Sequence, residues 1–103
     1  MAMKPRMRSL IVILSVTATP ARAAPDIALG RYLAGECVAC HRGATATKTI
    51  PNIFGMAAAT MTEVIKAYRD KRLDNAVMQG IAGRLKDEEI EALAAYFEQT
   101  RQP

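Results

Sequence analysis

Two cysteines and one histidine fall within five residues, Cys37-Val38-Ala39-Cys40-His41, and the chain has no other residue of either type. Two thiols separated by two residues can add to the two vinyl groups on one side of a porphyrin. The imidazole that follows then lies under the iron and can ligate it. This is the c-type haem attachment pattern. Three other chemistries use similar spacing. A structural disulfide between Cys37 and Cys40 suits an exported protein. A thioredoxin-like redox pair requires a preceding strand in a βαβ setting, and no segment here alternates as a strand does. A zinc site requires a fourth ligand, which only a carboxylate or water could supply.

The motif needs elements to hold it, and three helical stretches are legible. The first runs from about Asp26 to Glu36 and leads into Cys37. Pro25 precedes it, Asp26 suits the N-cap or first turn, and Ile27, Leu29, Gly30 and Leu33 form an apolar side. The second begins at Thr60, where Thr60-Met61-Thr62-Glu63 has the form of a capping box. Met61, Val64, Ile65 and Tyr68 follow at the spacing of one helix face. The third runs from about Asp87 to Gln99. Asp87, Glu88, Glu89 and Glu91 crowd its first turns, where carboxylates complement the helix dipole, and Ile90, Leu93, Ala94 and Phe97 repeat the face. The expectation is an all-α domain without internal repeats, whose long loops need an anchor beyond their own hydrogen bonds.

The first 23 of the 103 residues do not read as fold. Lys4, Arg6 and Arg8 precede a short apolar run, Leu10 to Val16. Ala21-Arg22-Ala23 then places small residues where a signal peptidase reads them. The run is far short of the roughly 20 residues a membrane helix needs. The expectation is therefore a signal peptide over 1–23, cleaved near Ala23, a periplasmic mature domain over 24–103, and no membrane span after cleavage. Four of the 14 basic residues and none of the 10 acidic ones lie in that leader, so residues 24–103 carry a formal net charge of zero. The basic pI of about 9.4 describes the chain with its leader and is no nucleic-acid footprint. A domain of roughly 80 residues with no Trp has little core of its own and commonly needs a staple or cofactor.

A haem ligated by His41 invites a second axial ligand. A methionine thioether there raises the reduction potential and closes the iron to other ligands. The mature chain offers Met56, Met61 and Met78. Met61 falls on the apolar face of the second helix, which suits a core role. Met56 lies in a loop and fits by spacing. Met78 lies in a stretch, Asp74 to Arg84, that reads as non-helical and could fold over the second haem face.

The stretches Cys37-Val-Ala-Cys-His41, Pro51-Asn-Ile-Phe-Gly55, Ala76-Val-Met78-Gln-Gly-Ile-Ala82 and Leu85-Lys-Asp-Glu-Glu-Ile-Glu-Ala-Leu-Ala-Ala-Tyr-Phe97 occur in this order. Together they resemble class I cytochromes c, in the group of cytochromes c4 and c553 and the haem subunit of flavocytochrome c sulfide dehydrogenase. The resemblance spans nearly all of residues 24–103. It implies the cytochrome c fold, three main helices around one covalent haem c, with Met78 as sixth ligand. It implies that Pro51 presents its carbonyl to the second nitrogen of His41, which would orient the ring and raise its basicity. It also implies that Gly30 and Leu33 cross the last helix near Tyr96 and Phe97, with Gly30 permitting close approach. Two positions depart from the pattern. Arg42 stands where Gly is usual, and Lys86 where an N-cap Ser is common. The second departure hands the cap to Asp87 and moves the helix start by about one residue.

The function expected is outer-sphere transfer of single electrons to and from a redox protein partner, with no catalytic site in the chain itself. By resemblance the partner could be a flavoprotein that oxidises sulfide, with this chain as its haem subunit. The alternative is a free shuttle serving a terminal oxidase or reductase. A gas-binding or peroxidatic haem would require Met78 not to ligate. The basic group Lys66, Arg69, Lys71 and Arg72 reads either as a docking patch for an acidic partner or as a solvated helix end.

Overall fold

A computed structural model describes residues 1–19, 23–43 and 45–101. Five helices and no strand occur among the described residues: α1 Ile27–Leu33, α2 Gly35–His41, α3 Ala58–Arg69, α4 Ala76–Ala82 and α5 Asp87–Gln99. The all-α expectation holds. α5 is the organising element, with α1 crossing it and α3 packing alongside, and α4 in turn packs on α3.

The crossing of α1 and α5 works because residue 30 has no side chain. A β-carbon at Gly30 would overlap the backbone carbonyl of Ala92 and come within 2.8 Å of the Tyr96 β-carbon. Phe97 is fully buried at the centre. Its ring meets Phe54 and Tyr96 edge-on, each at 5.2 Å between centroids. Ala34, Met61, Leu93 and Ala94 complete this cluster. The large side chains shut fully from water are Phe97, Ile90 and Leu93, and burying each contributes about 2–3 kcal/mol. The α5 face read from periodicity is thus the face that is buried, and its span of Asp87–Gln99 is as expected.

Three local expectations need correction. The first helix does not stop at Glu36. It is interrupted only at Ala34, and α2 continues through His41. Ala34 N–H donates to the Gly30 carbonyl at 2.9 Å, and its own carbonyl accepts from both Cys37 and Val38. Backbone bonding therefore bridges the break. Next, α3 starts at Ala58, two residues before the expected capping box, with Ala57 as a cap that has no side-chain oxygen to offer. The missing acceptor comes from α5: Glu98 Oε2 accepts from Ala58 N–H at 2.5 Å. Finally, Met78 does not lie in a loop. It sits in α4, whose first turn is capped by the Asn75 side chain, an acceptor from Met78 N–H at 3.0 Å.

The two departures from the family pattern also resolve. Arg42 ends α2 with extended backbone (φ −87°, ψ 158°) that any residue adopts, so no Gly is required. Lys86, not Asp87, occupies the N-cap position of α5, and the helix start does not move. Its ammonium cannot accept a hydrogen bond. Instead, the Glu89 carboxylate accepts from Lys86 N–H at 3.0 Å.

Residues 1–19 take no regular secondary structure, and Leu10–Val16 are exposed. Of the expected cleavage residues, Ala21 and Arg22 lie outside the described residues. No helix among the described residues is long and apolar enough to cross a membrane.

Candidate haem-attachment site

α2 presents the two thiols and the imidazole from a single helix. Cys37 is half-buried against the Phe97 cluster, and Cys40, three residues on, is exposed. Both are free thiols. Burial, reinforced by the neighbouring Glu36 charge, pushes the Cys37 thiol up to about 11. The half-buried thiol thus lies in apolar surroundings that suit an uncharged sulfur. A thioether is such a sulfur. Among the described residues no three His, Cys, Asp or Glu side chains converge as a metal site would require.

His41 is half-buried at the end of α2. Its Nδ1 lies 2.6 Å from the carbonyl oxygen of Pro51, ten residues on. A carbonyl can only accept, so Nδ1 carries the proton and donates. With Nδ1 engaged by this carbonyl, Nε2 is the ring nitrogen left to offer a lone pair to a metal. The donor set therefore fits a haem: one imidazole with the correct nitrogen free, and two unbonded thiols spaced for two vinyl groups. The structure brings Pro51 to His41 as the resemblance implies.

Met78 occupies a different part of the molecule. It is half-buried on α4, and α4 does not pack against α2. Of the three candidate methionines, Met61 is buried within the Phe97 cluster and Met56 packs against it. Both thioethers are thus engaged in the core, whereas Met78 is not part of that cluster.

Several residues that hold the site were missed in the sequence. Thr45 Oγ1 donates to the Cys40 carbonyl at 3.1 Å and also reaches the Arg42 carbonyl at 3.2 Å, capping the end of α2. Asn52 Oδ1 accepts from Phe54 N–H at 3.1 Å just after Pro51. An amide side chain beside a proline is a turn signal, which could have pointed to Asn52. Gly55 follows with φ +79°, a conformation that favours glycine, and its N–H donates to the Phe97 carbonyl at 2.8 Å. The Pro51 loop is thereby fastened to α5. Across the molecule, Arg84 just beyond α4 pairs with Glu36 at the start of α2 at 3.1 Å.

The basic group at the end of α3 is less available than its sequence suggests. Arg69 is paired with Asp87 at 2.6 Å and Asp70 at 3.6 Å. Arg72 lies 3.8 Å from the other Asp70 oxygen. Lys66 and Lys71 have no ion pair among the described residues.

An all-helical chain whose short α2 carries Cys-x-x-Cys-His, with the histidine oriented by a proline carbonyl, has the fold and site of a class I c-type cytochrome. Comparison with known proteins agrees. A family model described as cytochrome c oxidase, cbb3-type, subunit III matches residues 24–97. Cytochrome c-554(548) of Halomonas halodenitrificans is 40% identical over 79 residues, 72% of this chain and 95% of that protein. Cytochrome c6 of Thermosynechococcus vestitus is 37% identical over 97 residues, 85% of this chain and 82% of that protein. Cytochrome c6 of Thermostichus vulcanus matches to the same extent. The chain belongs to the cytochrome c family that this model describes, and its cofactor is covalently bound haem c. Its activity is electron transfer with a redox partner.

Proposed function

We propose that this is a periplasmic monohaem electron carrier in which Cys37 and Cys40 form the two thioethers and His41 Nε2 and Met78 Sδ are the axial iron ligands. The observation that carries the reading is the 2.6 Å bond from His41 Nδ1–H to Pro51. It fixes the tautomer, holds the ring plane, and makes Nε2 a stronger donor. Haem, when bound, supplies a one-electron Fe(III)/Fe(II) couple. The chain's own contribution is to keep the ligands in place in both oxidation states. α2 is stapled to the Phe97 core through Cys37 and Val38, and the Pro51 loop is tied to α5 through Gly55. A thioether from Met78 would leave no open iron position, which favours electron transfer over gas binding or peroxidase chemistry. Residues 1–23 act in this reading as a signal peptide removed on export, leaving residues 24–103 as the cytochrome domain.

A free carrier is the partner reading we favour, because the matches run over most of the length of small cytochromes. The second reading, a haem subunit bound to a sulfide-oxidising flavoprotein, draws on the likeness of Ile53-Phe54-Gly55-Met56 and Met78–Gly83 to that subunit. Purification from the native periplasm separates the two. The favoured reading expects a haem protein that elutes alone at monomer size without flavin. Stoichiometric flavin in the haem peak would replace it with the second reading.

A further inference from the structure

The His41–Pro51 bond spans ten residues, and a proline has no N–H with which to anchor its own peptide. The segment immediately ahead of it is held through one residue, Thr47, by its backbone N–H and its hydroxyl. Thr47 N–H donates to the Ile50 carbonyl at 2.8 Å. In return Ile50 N–H donates to Thr47 Oγ1 at 3.1 Å, and Thr49 N–H reaches the same oxygen at 3.3 Å. The Thr49 hydroxyl lies 3.2 Å from it as well. Thr47 and Ile50 thus close a four-residue turn whose exit is the Ile50–Pro51 peptide. Thr47 is exposed and takes no part in the hydrophobic core. Packing gives no reason for it, and its hydroxyl is fully engaged by the turn.

We propose that Thr47 is a positioning residue for the haem: its hydroxyl fixes Ile50 so that the Pro51 carbonyl meets His41 Nδ1, and through that bond it sets how strongly His41 donates to the iron. The proposal rests on His41 being the iron ligand. An exposed hydroxyl turn contributes little to stability by itself. Its leverage comes from the hydrogen bond it aims. When the Nδ1–H bond lengthens, Nε2 becomes a poorer donor, Fe(III) is less stabilised, and the potential rises.

The test uses the haem-loaded full chain with Thr47→Val, which keeps the shape and loses the hydroxyl, and Thr47→Ser, which keeps the hydroxyl. Spectroelectrochemistry reads the potential, and proton NMR reads solvent exchange of the His41 ring N–H and the Ile50 amide. The proposal expects Thr47→Val to shift the Fe(III)/Fe(II) equilibrium about threefold toward Fe(II), which is about 28 mV at 59 mV per tenfold for one electron. It also expects faster exchange of the ring N–H, and wild-type values for both in Thr47→Ser. An unchanged potential and ring N–H in Thr47→Val overturns it, as does an equal shift in both variants. Should Thr47→Val fail to load haem, the wild-type Ile50 amide decides: protection supports the turn, and free exchange overturns it. Rapid exchange of the ring N–H in the wild type would instead refute the His41 geometry itself, whatever the variants do.

Discussion

The α1–α5 crossing and the α2–α4 pair are built on opposite principles. At the crossing the protein supplies its own packing: Gly30 lets two backbones touch, and Phe97 sits between Phe54 and Tyr96. α2 and α4 carry the proposed iron ligands yet do not pack against each other. One exposed ion pair, Glu36–Arg84, joins their neighbourhoods. One side of the molecule is organised by side-chain complementarity, the other, on the proposed function, by groups that meet through a cofactor. A small chain with few large buried side chains can be stable this way only if binding energy supplements its core.

That contrast can be broken from the α2 side first, where the effect is largest. Replacing both Cys37 and Cys40 by Ala should abolish the haem-stained band on a denaturing gel and the cooperative thermal transition together. A cooperative transition in the haem-free variant would mean that the α1–α5 side folds on its own. Gly30→Ala comes next. In an open helix this change gains up to about 1 kcal/mol. Here the new methyl meets the Ala92 carbonyl, which cannot rotate away, so denaturant unfolding should show a loss of about 3 kcal/mol. Glu98→Ala removes the cap that α5 lends to α3, and the same assay should lose about 1 kcal/mol. Smallest is the Glu36–Arg84 tie. A double-mutant cycle should give a coupling of about 0.5 kcal/mol or less that fades with added salt. A larger, salt-resistant value would mean that this pair, and not the cofactor, joins the two ligand regions.

The same contrast explains what could be read from the chain alone. The Cys37-to-His41 motif is legible because its chemistry fixes the spacing. α5 is legible because thirteen residues give its apolar face room to repeat and its acidic start marks the boundary. α4 was missed for physical reasons. Seven residues with Gly80 in their midst offer too little periodicity, and the one usable sign was Asn75 standing three residues before Met78 as an N-cap. The start of α3 was misplaced because its cap, Glu98, lies forty residues away, beyond any local pattern. The Pro51 contact was reachable only by resemblance, since no rule of spacing says which carbonyl meets the ring.

On the proposed function, His41 and Met78 ligate the iron of one haem from its two faces. The most direct measurement is the far-red charge-transfer band of a methionine thioether on ferric haem, recorded for the wild type, Met78→Ala and Met56→Ala. The band is expected in the wild type and in Met56→Ala. Met78→Ala should lose it, with haem still attached and a potential lowered by on the order of 100 mV, a fraction of the roughly 0.8 V that axial ligands command. A band that survives in Met78→Ala, or disappears in Met56→Ala, would contradict this ligation.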